Sequence, residues 1–175
     1  MGLSVLLGGA RSGKSELSSR LASESGRPVV VIVTGEGRDE EMAERIRRHR
    51  AARPSTWETV ETPRAVAGAV RELGPVAFAV LDCLTLWVSN EIEAGLGHDE
   101  IVDEAREIAS VLARRDAPSV VVTNEVGLGI VPMNELARRY RDTLGRVNTA
   151  FVSEAERAFL VVAGRALPLE DVTLT

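Results

Sequence analysis

The octapeptide GGARSGKS, residues 8–15, constrains the fold of this chain more than any other feature. It matches the pattern G-x-x-x-x-G-K-[ST], in which backbone N–H groups surround a phosphate. Its glycines permit tight curvature, and Lys14 and Ser15 open a helix whose N-terminus favours negative charge. The preceding apolar run, SVLL, predicts a strand that leads into the loop. Strand, loop and helix in this order predict nucleotide binding, but they do not identify the reaction.

Two side chains of this loop have expected roles in phosphate chemistry. Lys14 should contact the β- and γ-phosphates, and Ser15 should offer its hydroxyl to Mg²⁺. Asp82 ends the apolar run VAFAVLD and is the candidate for the second magnesium ligand, on a neighbouring strand. Glu125, in TNEVGLG, either positions a metal, accepts a substrate proton or is an ordinary polar loop residue.

Apolar, β-rich runs alternate with longer helical patterns along the chain. Most runs, such as VVVIV and SVVVT, are continuous, which is typical of parallel strands covered on both faces. We predict strands over 4–7, 29–33, 57–60, 76–81, 120–123 and 159–163. Helices are predicted over 13–25, 39–52, 64–73, 99–115 and 133–157. The sequence therefore predicts one α/β domain, residues 1–175, with a mostly parallel central sheet and helices on both faces.

The carboxyl ends of parallel strands should bring four segments to one edge of this sheet, where ligands bind in such folds. These segments are 8–15, 34–37, 82–85 and 124–129.

Composition narrows the classes of partner and the compartment. The net charge is −5 and aromatic residues make up 3%, so neither nucleic acid nor an anionic membrane is an expected partner. Cys83 is the only cysteine, which excludes an internal disulfide and suits a reducing cytoplasm. No apolar run has the length of a membrane span, and the phosphate loop begins too early to leave room for a signal peptide.

The stretch DEEMAERIRRHRAARP, residues 39–54, places five arginines around His49 on a predicted helix. Met42, Ile46 and His49 share one face of that helix. One interpretation is structural, with His49 completing a packed face and the arginines in solvent. The other is chemical, with His49 attacking a phosphorus atom and guanidinium groups stabilising the transferring charge. Nucleic-acid binding by the arginines is a third interpretation, which the acidic balance disfavours.

Four blocks of this sequence resemble the bifunctional adenosylcobinamide kinase / adenosylcobinamide-phosphate guanylyltransferase family of cobalamin biosynthesis. They are GGARSGKS (8–15), DEEMAERIRRHRAARPSTWETVE (39–61), LDCLTLWVSN (81–90) and TNEVGLGIVP (123–132). The later stretches ARRYRDTLGRVN (137–148) and LVVAG (160–164) also fit. The resemblance therefore extends over nearly the whole chain, in the expected order.

The resemblance implies an enzyme with a RecA-like P-loop fold, which acts as a cytoplasmic homotrimer. It would phosphorylate adenosylcobinamide with ATP or GTP, and GTP would then guanylylate the histidine that falls on His49. The GMP would pass to adenosylcobinamide phosphate, giving adenosylcobinamide-GDP, with Mg²⁺ as cofactor. The implied nucleotide-binding residues are Gly8, Gly9, Ala10, Arg11, Ser12, Gly13, Lys14, Ser15, Val33, Thr34, Gly35, Arg50, Ala51, Ala52, Arg53, Glu61 and Asp82. The implied catalytic residues are His49 and Lys14, and the implied metal ligands are Ser15 and Asp82.

Two departures from the family pattern affect these expectations. Some relatives carry two adjacent histidines where this chain has Arg48 and His49, and the segment TGEG, residues 34–37, is richer in glycine than expected. Some relatives also retain only one of the two activities.

Two other functions remain open at this point. A simple small-molecule kinase would need the phosphate loop and an arginine lid, for which Arg138, Arg139 and Arg141 are available, but not His49. A P-loop ATPase that acts as a regulator or nucleic-acid partner would need a basic surface and an additional interaction segment, and the sequence shows neither clearly.

Overall fold

The computed structural model describes residues 2–171 and contains a seven-stranded sheet in the order β3-β2-β4-β5-β1-β6-β7. The strands are β1 (Leu3–Leu7), β2 (Val29–Val33), β3 (Glu58–Glu61), β4 (Phe78–Asp82), β5 (Ser119–Val122), β6 (Arg157–Val162) and β7 (Arg165–Leu169). Every neighbouring pair is parallel except β6 and β7, which are antiparallel. The mostly parallel sheet is confirmed.

Six helices connect these strands. They are α1 (Lys14–Glu24), α2 (Glu40–Ala51), α3 (Val66–Arg71), α4 (Leu84–Glu93), α5 (His98–Ala113) and α6 (Glu135–Glu154). Each predicted strand and helix is present, with ends that differ by a few residues. Within residues 2–171, no helix combines the length and apolar character needed to cross a membrane.

Helices cover both faces of the sheet, as the continuous apolar strands predict. Buried side chains of α3, α4, α5 and α6 form one core with β1, β4 and β5, and its largest members are Trp87 and Phe151. A second core lies on the other face, where Leu17, Leu21 and Ala22 of α1 pack against β1, β4 and β5. In contrast, α2 contains no buried residue. It lies outside both cores.

Two elements were not predicted. Helix α4 begins directly after β4, and Cys83 precedes it without a side-chain cap, so the usual start signal is absent. Its apolar side chains nevertheless have helical spacing, since Leu84, Trp87, Val88 and Ile92 are buried. Strand β7 is exposed along its whole length and contains Pro168, which is tolerated because β7 lies at the edge of the sheet.

Candidate nucleotide and phosphoryl-transfer site

The phosphate loop surrounds the ammonium group of Lys14. Gly13 precedes α1 in the left-handed conformation, with φ of 102°. The Lys14 Nζ atom donates hydrogen bonds to the carbonyls of Gly8 and Gly9, both at 2.7 Å, and to Ser12 Oγ at 3.3 Å. Burial lowers the pKa of Lys14, although the negative charge of Asp82 opposes that shift. The lysine therefore lies inside the loop, where a phosphate would meet it.

The carboxyl ends of β2, β3 and β4 bring three expected ligand-binding residues to one level. The strand register pairs Val33 with Glu61 on one side and with Asp82 on the other. Thr34, the next residue, is buried, and its Oγ1 donates to the Cys83 carbonyl at 2.7 Å and accepts from the Cys83 N–H at 3.1 Å. The sequence prediction that segments 34–37 and 82–85 meet is confirmed.

A magnesium ion would be held here by few protein atoms. Among residues 2–171, no cluster of three or more His, Cys, Asp or Glu side chains could hold a metal. Ser15 and Asp82 supply a hydroxyl and a carboxylate, which are the oxygen donors that Mg²⁺ accepts when phosphates and water complete its shell. The Asp82 carboxylate also accepts a hydrogen bond from Arg53 Nη2 at 3.0 Å, with both side chains mostly buried. The donor chemistry fits magnesium bound jointly with a nucleotide.

Helix α2 lies over this edge of the sheet. A capping side chain fixes its N-terminus, and one half-buried face contacts the sheet edge. The Asp39 side chain caps its N-terminus by accepting from the Met42 N–H at 2.7 Å. Ile46 lies near Gly35, since a Cβ atom on that glycine would be 3.5 Å from the Ile46 Cδ1. Met42, Ile46 and His49, which the spacing places on one face, are all partly buried. They form the face of α2 that lies on the sheet edge.

The arginines around His49 have different partners. Arg47 and Arg48 pair with Glu44 on their own helix and lie in solvent. Arg50 donates to Glu61 at 3.1 Å across to β3, and Arg53 binds Asp82. Ala51 and Ala52 form the end of the helix between these two arginines.

The charge of Arg45 acts on Lys14 of the phosphate loop. Arg45 lies one helical turn before His49, and its positive charge contributes to the lowered pKa of Lys14. Residues four apart lie on the same face of a helix. Arg45 and His49 therefore lie on one side of α2.

The segment after β5 touches the loop from the other direction. The N–H of Glu125 donates to the Gly8 carbonyl at 3.2 Å, and the Glu125 carboxylate accepts from the N–H of Gly127. Asn148 of α6 holds this segment by donating to the Asn124 carbonyl at 3.0 Å, and Thr85 accepts from the Asn124 N–H at 3.0 Å. Tyr140 of α6 in turn donates to the Thr85 carbonyl at 3.2 Å. The fourth predicted segment, 124–129, is thus confirmed at the same edge.

Sequence reasoning missed two contributors to this site. Asn148 is a buried polar residue between the buried apolar residues Val147 and Phe151 of α6. A polar residue on an apolar helix face could have been identified in the sequence as a candidate for a structural hydrogen bond. Gly164, in the turn between β6 and β7, donates its N–H to the Ser12 carbonyl at 2.8 Å. Its only local signal was a glycine after an apolar run.

Of the three arginines that could form a lid, Arg138 and Arg139 bind nearby backbone carbonyls, and Arg141 forms an ion pair. Arg138 donates to the carbonyls of Pro132 and Met133, and Arg139 donates to the Leu96 carbonyl. Arg141 pairs with its neighbour Asp142. An open cavity of about 720 Å³ lies beside them, between α5 and α6, and His98 lines it with a hydrogen bond to Thr143.

Solved structures with a similar fold are distant in sequence. A protein from Pyrococcus horikoshii OT3 aligns with a TM-score of 0.60 at 8% identity, covering 98% of this chain and 87% of its own. The RadB recombinase aligns with a TM-score of 0.53 at 16% identity, covering 91% of this chain and 73% of its own. These likenesses concern the fold alone, and they confirm the predicted RecA-like P-loop architecture.

Similarity in sequence is much closer. The bifunctional adenosylcobalamin biosynthesis protein CobP of Pseudomonas aeruginosa is 42% identical over 172 residues, covering 97% of this chain and 98% of that protein. The bifunctional adenosylcobalamin biosynthesis protein CobU of Salmonella typhimurium is 38% identical over 173 residues, covering 91% of this chain and 95% of that protein. The model of the CobU family, described as cobinamide kinase / cobinamide phosphate guanyltransferase, matches residues 4–169. The chain belongs to this family.

Proposed function

We propose that this chain phosphorylates adenosylcobinamide with ATP or GTP, and then transfers GMP from GTP to adenosylcobinamide phosphate through a guanylyl-His49 intermediate. One observation carries the proposal: the C-terminal end of α2, which carries His49, is tied to the sheet edge that holds the phosphate loop, since Arg53 donates to Asp82 at 3.0 Å and Arg50 donates to Glu61 at 3.1 Å. A nucleophile and a phosphate-binding lysine therefore belong to one edge of the sheet. That arrangement supports covalent transfer in addition to phosphorylation.

The first reaction is phosphoryl transfer. The hydroxyl oxygen of the aminopropanol group attacks the γ-phosphorus, the bond to the β,γ-bridging oxygen breaks, and the nucleoside diphosphate leaves. The hydroxyl proton passes to a carboxylate at the sheet edge, for which Asp82 and Glu125 are the candidates. Lys14 and the loop N–H groups stabilise the charge on the transferring group. Ser15 and Asp82 would hold Mg²⁺, which neutralises phosphate charge when bound.

The second reaction proceeds in two displacements. A ring nitrogen of His49 attacks the α-phosphorus of GTP, the α,β-bridging P–O bond breaks, and pyrophosphate leaves. A phosphate oxygen of adenosylcobinamide phosphate then attacks the same phosphorus and breaks its bond to nitrogen, which regenerates His49. Dividing the reaction in this way replaces one difficult step by two easier ones.

The guanylyl step requires α2 and the phosphate loop to meet at the α-phosphate, and we propose that α2 moves for this purpose. Its lack of buried residues supports the proposal, because little packing opposes such a shift. Its position with and without GTP, measured by the distance between probes on α2 and α1, should differ. An unchanged distance would count against the movement.

GTP labelled separately at the α- and γ-phosphates tests the function. Without adenosylcobinamide, α-label should attach covalently, be stable in alkali and labile in acid, and be absent from His49→Ala. His98→Ala is the matched control, since it removes the other histidine, and it should still be labelled. Addition of adenosylcobinamide should then give transfer of γ-label. Transfer of γ-label without any adduct would instead indicate the single-activity kinase.

We also propose that the enzyme is a single domain and works as a homotrimer in the cytoplasm. The segment after β5 supports association, since Leu128, Ile130 and Met133 are 83%, 97% and 98% exposed. Exposed apolar surface of this kind marks interaction sites. Sedimentation should give three times the chain mass of 18.8 kDa, and a value of one chain mass would exclude the trimer.

A further inference from the structure

The hairpin of β6 and β7 ends directly against the phosphate loop. The Gly164 N–H donates to the Ser12 carbonyl at 2.8 Å, and a Cβ atom on Gly13 would lie 3.1 Å from the Gly164 Cα. A Cβ atom on Gly8 would lie 2.3 Å from the Val161 carbonyl oxygen. These approaches involve main chain on both sides. The hairpin turn is therefore a fixed wall on one side of the loop.

The sheet order gives the distances on the two sides of the loop. Strands are about 4.8 Å apart, so β4 with Asp82 lies about 10 Å from β1, and β3 with Glu61 lies about 19 Å from β1 in the same direction. Strand β6 is the neighbour of β1 in the opposite direction, about 5 Å away. The loop thus has an acidic side toward β4 and a side toward the hairpin.

The two reactions place opposite demands on a nucleotide bound in this loop. Phosphorylation needs the γ-phosphorus near a group that takes the hydroxyl proton, and Asp82 and Glu125 both lie on the side toward β4. Residues 162–165 of the hairpin contain no carboxylate. Guanylylation instead needs the α-phosphorus near His49. With the other phosphates in the loop, the base must then extend past α2, toward Arg50 and Glu61.

We propose that the triphosphate binds the loop in two opposite directions, with the purine base over the β6–β7 turn during phosphorylation and beside Arg50 and Glu61 during guanylyl transfer. The inference rests on the proposed function, and it assigns a base-binding site at residues 162–165. Rotation of the nucleotide, rather than displacement along the loop, brings the γ-phosphorus or the α-phosphorus toward the reacting groups.

The surface of the turn suits a purine. Val162 is 59% exposed, and the register pairs it with Arg165, which is also exposed. Arg165 makes no ion pair with any residue in the range 2–171. An apolar side chain beside an unpaired guanidinium group offers a stacking surface that accepts either adenine or guanine.

A kinetic comparison separates the two directions. Arg165→Glu should raise the KM for ATP in adenosylcobinamide phosphorylation by about fivefold, the effect of losing one exposed cation–π contact. The GTP concentration that half-labels His49 should not change. Arg157→Glu is the matched control, since it reverses an exposed arginine at the other end of the same hairpin and should leave both values unchanged. An equal change in both reactions, or none in the ATP value, overturns the proposal.

Photolabelling of the unaltered protein provides a second test. With 8-azido-ATP, light should label the tryptic peptide 158–165, and ATP should compete with that label. For the other direction, the 8-azido-GMP adduct of His49 is formed first, free nucleotide is removed, and light should then label peptide 51–64.

The two tests distinguish failure of this inference from failure of the proposed function. If γ-transfer and the His49 adduct both occur but both probes label only peptide 51–64, the two-direction binding is wrong and the function stands. If no His49 adduct forms, the proposed guanylyl transfer itself is wrong.

Discussion

At the scale of single residues, the phosphate loop depends on positions where a side chain has no space. Gly8 has a φ of 152°, and the Val161 carbonyl of β6 occupies the position that its Cβ atom would need. Gly9, the next residue, has nothing within 4 Å of the corresponding position. Two adjacent glycines of one motif therefore have different structural requirements.

Gly8→Ala should destabilise the protein by at least about 2 kcal/mol, because the added methyl group must displace main chain of a buried strand. Gly9→Ala is the control, and it should change the free energy of unfolding by well under half of that amount. Urea unfolding of the two variants provides the measurement. Equal stabilities would show that the loop and β6 are not in the close contact described.

Some residues of the site can be identified from a few neighbouring residues in the sequence, and others only from the strand order. Lys14, Ser15 and Asp82 were predicted because a short motif or a strand end identifies each of them. The contact between Gly164 and Ser12 could not be predicted, because it joins residues about 150 positions apart and depends on β6 lying beside β1. Pairings of this kind depend on the strand order, which continuous apolar runs do not specify.

At the scale of elements, α2 differs from the other helices in what stabilises it. It contains no buried residue, and its stability rests on the Asp39 cap, on ion pairs with Glu44 and Glu61, and on contact of Ile46 with Gly35. Helix α6 also has a side-chain cap, Asn134, but it buries six residues. Packing therefore fixes α6, whereas α2 depends on its local interactions.

Asp39→Ala should loosen α2 by about 1 kcal/mol, the usual value of an N-cap, and its amides should exchange with solvent about fivefold faster. Asn134→Ala removes the equivalent bond to Ala137 at the start of α6. The amides of the buried half of α6 should keep their exchange rates, because packing holds that helix. Hydrogen exchange followed by mass spectrometry gives both rates. Similar acceleration along both helices would contradict the difference in anchoring.

The elements that sequence analysis missed show the limits of periodicity. The run LTLWVSNEIE has helical spacing, but it follows β4 directly and has no capping side chain. The sequence therefore contains no signal that marks where the strand ends and α4 begins. Strand β7 is short and exposed, and its pairing with β6 rather than its own pattern makes it a strand. Long amphipathic helices such as α5 were predicted because their own residues determine their buried face.

At the scale of the whole molecule, two ion pairs among residues 2–171 hold a largely buried carboxylate. One is in the site, where Arg53 pairs with Asp82 at the edge of the sheet. The other joins Arg64, which follows β3, to Glu91 of α4, whose side chain is only 3% exposed. Glu104 of α5 is near this second pair, since the charges of Glu91 and Arg64 both act on it. The second pair affects stability and is not part of the proposed chemistry.

Glu104 makes the stability of the whole molecule depend on pH. Burial, and then the charge of Glu91, raises the pKa of Glu104 above its ordinary value of 4.5. The folded protein therefore holds this proton more tightly than the unfolded chain does. The stability that this proton contributes is fully present below pH 4.5, and it is lost as the pH rises through the higher pKa of the folded state.

Glu104→Gln removes this dependence, because glutamine has no charge to bury. Relative to the unaltered protein, it should be more stable near pH 7, by about 1 kcal/mol or less given its partial exposure, and should show no such gain near pH 4. Asp103→Asn is the control on the same helix, since its side chain is 71% exposed. Urea midpoints at the two pH values provide the measurement. A gain of equal size at both would show that the effect comes from packing rather than from ionisation of Glu104.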